Sequence, residues 1–487
     1  MLCIGFVSCG DWLNVNPEDE ISEDELFSTG EGYRNALNGV YKQFSSAALY
    51  GYHLSWGLID GMGQYYDRSN NWNDIQGITR AAIYEFDHYD TKPLLENLWN
   101  TAYNAVANCN NIIKHIENAP ASMFAEGEEE RDLIYGEALG LRAVLQFDLL
   151  RLYAPSPVMG GRDKKVLPYK EEYPSRVSPK LTVQECIDDV IRDLKKAHEL
   201  IAGYDNEDRL SGKFSINERF KEYGGTSRFL SGRGFRLNTY AARAVLARVY
   251  LYNDQVNEAL AIANELIALR STFRFPSSAY SVTSTDNMKL IDDVIGGWYV
   301  KKLTDWDRDA LSKGTSYDSF LQLLDPKKYF PTSNDTDRDW RFTVGIEYYG
   351  SYSEPRSLKN RNMNSLQYAG KTSQTLIPLI RMSEVYYIAA ECEIRKATPD
   401  FAAATAHLVT VKKGRGISNA ETVMGTLSTE DAFYNALLED ARREFIGEGQ
   451  IFFMHKRLGV SLTGSSNISY PINEVIIPSL PDSETVI

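Results

Sequence analysis

Residues 238–270 constrain this chain most, because they read as two helices folded back on each other. Apolar residues recur at i, i+3 and i+4 on both sides of a break near Asn253-Asp254. Ala247, Tyr250, Ala259, Ala263 and Leu266 fall where the helices cross, and small residues on facing stripes let the two axes approach closely. A second pair of this design is predicted over Ile377 to Arg395 and Phe401 to Lys413, with Ala389, Ala390, Ala403 and Ala404 in like places. Repeated pairs point to a mostly helical scaffold.

The spacing resembles a tetratricopeptide repeat. Further amphipathic segments at 98–117, 129–153 and 182–201 read as degenerate versions, and a last helix is predicted from about Glu430 to Phe445. Near the start, Ser22 and Glu25 have capping-box spacing, and one helix is expected from there through Tyr41. Residues 46–90 and 203–236 lack helical period and read as a loop region and an insertion. Residues 271–375 lose it too and carry Trp298, Trp306, Tyr317, Trp340, Tyr348, Tyr349 and Tyr352. Such a stretch is expected to form loops and short strands mounted on the scaffold, where recognition tends to sit.

A formal charge of −14 over 487 residues argues against a nucleic-acid partner, whose binding draws on a basic patch. No run of 18 apolar residues is present to span a bilayer. Contact with a membrane is instead expected through a lipid. Phe6-Val7-Ser8-Cys9 resembles a bacterial lipobox, so residues 1–8 read as a signal remnant. Cys9 is then the lipidation site, 9–22 a leash, and 23–487 the folded unit. Within that unit the scaffold is expected over about 23–270 and 376–460, and the variable face over about 271–375. Cys109, Cys186 and Cys392 have no CxxC spacing and read as small buried hydrophobes.

Glu137, Arg142, Arg381, Glu384, Glu391, Arg443 and Glu444 lie on helix faces among apolar residues, as Arg–carboxylate locks do. Asp335, Asp337 and Asp339 alternate like the start of a calcium loop, but Trp340 and Ile346 stand where its Gly and Glu belong. They read as a capped turn, and neither a metal nor a cofactor is expected. The candidate ligand contacts are aromatic: Tyr65, Tyr66, Asp67, Arg68 and Trp72 in one cluster, and Trp298, Trp306 and Tyr317 in another. A sugar ring can stack on an indole or phenol while Asp, Asn and Arg bond its hydroxyls, and a peptide could use the same surfaces.

The order of several short blocks resembles the SusD/RagB family of nutrient-binding outer-membrane lipoproteins. The blocks are Asp11-Trp12-Leu13 after Cys9, Ala36 through Tyr41, Trp99 through Tyr103, and Glu137 through Ala143 followed by Phe147 through Tyr153. Arg381 through Val385, Arg442 through Phe445, and Glu448-Gly449-Gln450 complete them. The resemblance implies a mostly α fold, with tetratricopeptide-like helix pairs behind an irregular ligand-binding face. It also implies a non-catalytic protein on the cell surface that captures oligosaccharides and passes them to a SusC-like TonB-dependent transporter. A peptide-binding uptake lipoprotein of the RagB type is the alternative. A glycoside hydrolase, which would need two carboxylates about 5–10 Å apart across a cleft, is a further one.

Overall fold

The computed structural model describes residues 22–67, 77–206, 210, 212–216, 218–221, 227–278, 282, 287–303, 321–330, 339–349, 354–360 and 374–484. Among them are ten helices of eight residues or more. Six come first: α1 (Gly30–Phe44), α2 (Lys92–Ile116), α3 (Glu128–Tyr153), α4 (Val183–Tyr204), α5 (Thr239–Tyr252) and α6 (Val256–Ala268). Four follow later in the chain: α7 (Met382–Arg395), α8 (Phe401–Gly414), α9 (Glu430–Glu444) and α10 (Ile451–Leu458).

Local chemistry sets the helix ends. At α4 a full capping box forms: Glu185 N donates to Thr182 Oγ1 at 3.1 Å, and Thr182 N donates to Glu185 Oε2 at 2.8 Å. At the α5–α6 break Asp254 takes a φ of 62°, a left-handed conformation that Asp tolerates better than most residues. The helix expected from Ser22 through Tyr41 is in fact two. Ser22 caps only Glu23–Leu26, and α1 restarts where the Thr29 hydroxyl accepts from Gly32 N at 3.1 Å.

From α2 to α8 each helix packs on the next, giving the expected helix-pair scaffold. Its centre is α3, buried without a break from Gly136 to Tyr153, as a helix flanked on all sides must be. The α3–α4 approach is close enough to require glycine: a Cβ on Gly136 would lie 2.9 Å from the Ala197 carbonyl oxygen.

Two short strands, β1 (Lys165–Leu167) and β2 (Leu181–Thr182), pair antiparallel just before α4. One further expectation needs correction. Residues 376–381 are strand, not the start of a helix: β6 (Leu376–Arg381) pairs antiparallel with β3 (Val294–Tyr299), and α7 begins only at Met382. All six residues of β6 are buried, and Pro378 has no N–H for a helix interior. Residues 203–236, read as an insertion, are tied into the core. Arg233 is fully buried, with Nε 2.7 Å from Asp205 Oδ1 and Nη1 2.5 Å from Glu137 Oε1 on α3. One helix goes beyond the expected set: α10 is only two turns long, with no side-chain cap at Gln450.

Candidate functional site

Beside the helix pairs, three irregular segments knit into a platform. Leu324 N donates to Tyr65 O at 2.6 Å, Asp67 N to Gln322 O at 2.9 Å, and Leu323 N to Pro355 O at 2.8 Å. Tyr66 bridges Leu323, and β4 (Ile346–Tyr349) pairs with β5 (Glu354–Ser357). Asp67, which precedes 68–76, and Leu321, which follows 304–320, are therefore neighbours on this platform. Arg68, Trp72, Trp306 and Tyr317 lie outside the described residues, as does Cys9.

Tyr65, Tyr66 and Trp298 are packed inside the platform and scaffold. Tyr65 is 0% exposed, donates its hydroxyl to Arg442 O at 2.7 Å, and lies 4.8 Å from the Arg442 guanidinium. Tyr66 is buried and donates to the Trp56 carbonyl. Trp298, 1% exposed, stands apart from that cluster on β3, with its ring 5.1 Å from Phe44 and 5.2 Å from Tyr50. Their ring faces are occupied by neighbours, because burying a large aromatic side chain is worth more than exposing it. Asp67 is half-buried and accepts from Ser465 Oγ at 3.2 Å.

The structure adds residues that sequence reasoning passed over. Arg442 also lies 5.3 Å from the Tyr329 ring, so it is held between two phenols. Lys327 Nζ is 5.6 Å from the Tyr348 ring, and the buried hydroxyls of Tyr329 and Tyr348 have no hydrogen-bond partner among the described residues. Arg442 stands in one of the blocks that carry the family resemblance but not among the helix-lock residues, and for Tyr329 no periodic signal existed.

Behind the platform lies a buried charge cluster of Arg341, Lys359, Arg381, Lys412 and Arg415 with Asp293, Asp339, Asp440, Glu444 and Glu448. Five cations face five carboxylates, so the cluster is neutral as a whole. Burial works against ionising Glu444, but Arg415, Arg381 and Arg341 outweigh it and hold the carboxyl well below its usual range. Asp60 fastens the platform to this cluster by accepting from Gly447 N at 2.7 Å and Gly449 N at 3.0 Å. Burial pushes Asp60 up to about 8, against the pull of those two amides. Glu137, Arg142, Arg381, Glu384, Glu391, Arg443 and Glu444 are all buried and ion-paired, the arrangement expected of helix locks. Asp339 caps Trp340–Thr343, while Asp335 and Asp337 lie outside the described residues. Among the described residues no group of three His, Cys, Asp or Glu side chains is placed to hold a metal, and no helix is long and apolar enough to cross a membrane.

Residues 11–213 match a family model for SusD-like proteins described as starch-binding and associating with the outer membrane, and residues 328–476 match the model of the SusD family. The chain belongs to the SusD family. A SusD-like protein, P38, of Formosa agariphila is 21% identical, over 91% of this chain and 86% of its own length. A SusD superfamily protein of Bacteroides thetaiotaomicron superposes with a TM-score of 0.69 at 19% identity, covering 94% of this chain and 98% of the other. A SusD-like carbohydrate binding protein of Bacteroides vulgatus gives 0.66 at 18%, covering 94% and 96%. These solved SusD structures share the helix-pair scaffold.

Proposed function

We infer that this SusD family protein is a non-catalytic, lipid-anchored binding protein on the cell surface that captures oligosaccharides and hands them to a SusC-like TonB-dependent transporter. The observation that carries this reading is the platform. Chain ends bordering two aromatic segments are hydrogen-bonded side by side through Asp67 and Gln322. Ligand contact is assigned to Arg68, Trp72, Trp306 and Tyr317, with Asp67 at the base. Tyr65 and Tyr66, packed within the platform, hold its base in place, while Trp298 packs on β3 against Phe44 and Tyr50. Binding then rests on stacking and hydroxyl recognition, with no bond made or broken.

Titration calorimetry with a panel of oligosaccharides and peptides tests this directly. Heat with an oligosaccharide that disappears in Trp72→Ala or Trp306→Ala supports it. Heat only with peptides moves the ligand class to the RagB type, and turnover of any glycan defeats the non-catalytic reading. Labelled-lipid incorporation that survives Cys9→Ala would overturn the anchor.

A further inference from the structure

Where α3, α5, α7 and α10 meet, the helices leave a cavity of about 50 Å³ between them. Phe147 of α3 sets two of its walls side by side. Its ring meets the Tyr252 ring edge-on at 5.3 Å, and the Arg151 guanidinium lies 4.9 Å from it and 4.0 Å from the Phe453 ring. Both polar residues are deeply buried, Arg151 5% and Tyr252 4% exposed.

Two polar groups on these walls have no hydrogen-bond partner among the described residues. Arg151 donates through Nη1 to Gln450 Oε1 at 3.2 Å and through Nη2 to Asp148, which leaves Nε over. The Tyr252 hydroxyl is the other group. Burial pushes that phenol up, with Arg151 and Arg457 pulling the other way, so it keeps its proton. Buried donors are nearly always satisfied, so both call for an acceptor inside the junction.

Charge and size decide what that acceptor is. The three guanidinium groups lining the cavity are already neutralised. Arg151 pairs with Asp148, Arg248 Nε lies 2.6 Å from Glu384 Oε1, and Arg457 Nη2 lies 2.6 Å from Glu391 Oε2. An anion would find no spare positive charge, and a cation would face three arginines. One water needs about 10–15 Å³ of such space, so about three fit, whereas a sugar ring does not. We propose that this cavity is an internal water site, in which water accepts from the Tyr252 hydroxyl and Arg151 Nε. The Glu384 and Glu391 carboxylates on the same walls keep lone pairs that accept from the water in turn. The site joins α10, which begins without a side-chain cap, to α3, α5 and α7. It is independent of the platform and of any sugar bound there.

A crystal structure of the full chain with ordered solvent, together with thermal melts of Tyr252→Phe, tests it. Water density is expected within hydrogen-bond distance of Tyr252 Oη and Arg151 Nε. The variant should melt about 1 °C or more below the native chain, because deleting a water-bound hydroxyl loses its bonds. An unchanged or raised midpoint overturns the proposal, since removing an unsatisfied buried hydroxyl relieves its cost. A cavity without solvent density overturns it too, as does anomalous signal there from a bromide-soaked crystal, which would make the occupant an anion.

Discussion

The Arg381 guanidinium grips both carboxylate oxygens of Glu448, Nη2 to Oε1 at 2.6 Å and Nε to Oε2 at 2.9 Å. Arg381 ends β6, and Glu448 sits in the turn that Asp60 holds, so one buried pair joins scaffold to platform. Removing one partner of such a pair leaves a buried charge uncompensated. Arg381→Met is therefore expected to destabilise by about 3–5 kcal/mol. Arg243→Ala, which breaks an exposed pair with Glu265, should cost about 1 kcal/mol or less. Urea denaturation followed by circular dichroism separates the two, and equal losses would contradict the buried-cluster account.

Gly136→Ala should destabilise the scaffold although alanine is the better helix former. The propensity gain is about 1 kcal/mol. The new Cβ would meet the Ala197 carbonyl oxygen at 2.9 Å and Leu200 Cβ at 2.9 Å, and neither belongs to a flexible side-chain end. Overpacking of this kind costs about 1–3 kcal/mol. A thermal melt showing a raised midpoint would refute the close α3–α4 contact.

Buried bases should add stability with rising pH in two windows, while Asp60, pushed up to about 8, removes it as pH rises from about 4 to 8. Burial pushes His53 and His455 down to about 4, so the folded state binds fewer protons than the unfolded chain between about 4 and 6.5. Acidification across that window removes roughly 3 kcal/mol for each histidine. Burial, with Arg151 adding to it, pushes Lys456 down to about 7, so its second window runs from about 7 to 10.5. There the folded state again holds fewer protons, and stability climbs as pH rises. Unfolding free energies measured from pH 4 to 10 for the native chain and for Lys456→Met check the sign: the upper slope should vanish in the variant.

Trp298→Ala should cost about 3–5 kcal/mol, since it empties a site between Phe44 and Tyr50. Tyr299, its neighbour on β3, is 49% exposed, and Tyr299→Ala should cost far less. Chemical denaturation compares them.

Thiol chemistry gives one more test. Burial pushes Cys109, Cys186 and Cys392 up to about 12. All three should resist iodoacetamide in the native protein and react on unfolding. Mass spectrometry after brief labelling reads this out.

Much of the scaffold was legible because helix pairing is a local pattern. The break at Asp254 and the small residues of α5 and α6 follow from spacing along one segment, whereas the apolar flanks of the lock residues showed that they are buried but not which partners they meet. The start of α7 was not legible, because Leu376 through Ile380 is apolar throughout, and such a run has no period to tell strand from helix. Among the aromatic candidates, composition does not give the exposure of each ring. Tyr65 and Trp298 look alike in sequence to any solvent-facing ring, and only their neighbours show that they are packed.

The sequence by itself determined the helix pairs, the inert cysteines and the family, since periodicity, side-chain size and the order of short motifs are written along the chain. Tertiary structure alone decided that Arg381 meets Glu448 and that Arg442 rests between Tyr65 and Tyr329. Those relations join residues far apart in the chain, and their energies depend on burial and distance, which no local spacing encodes.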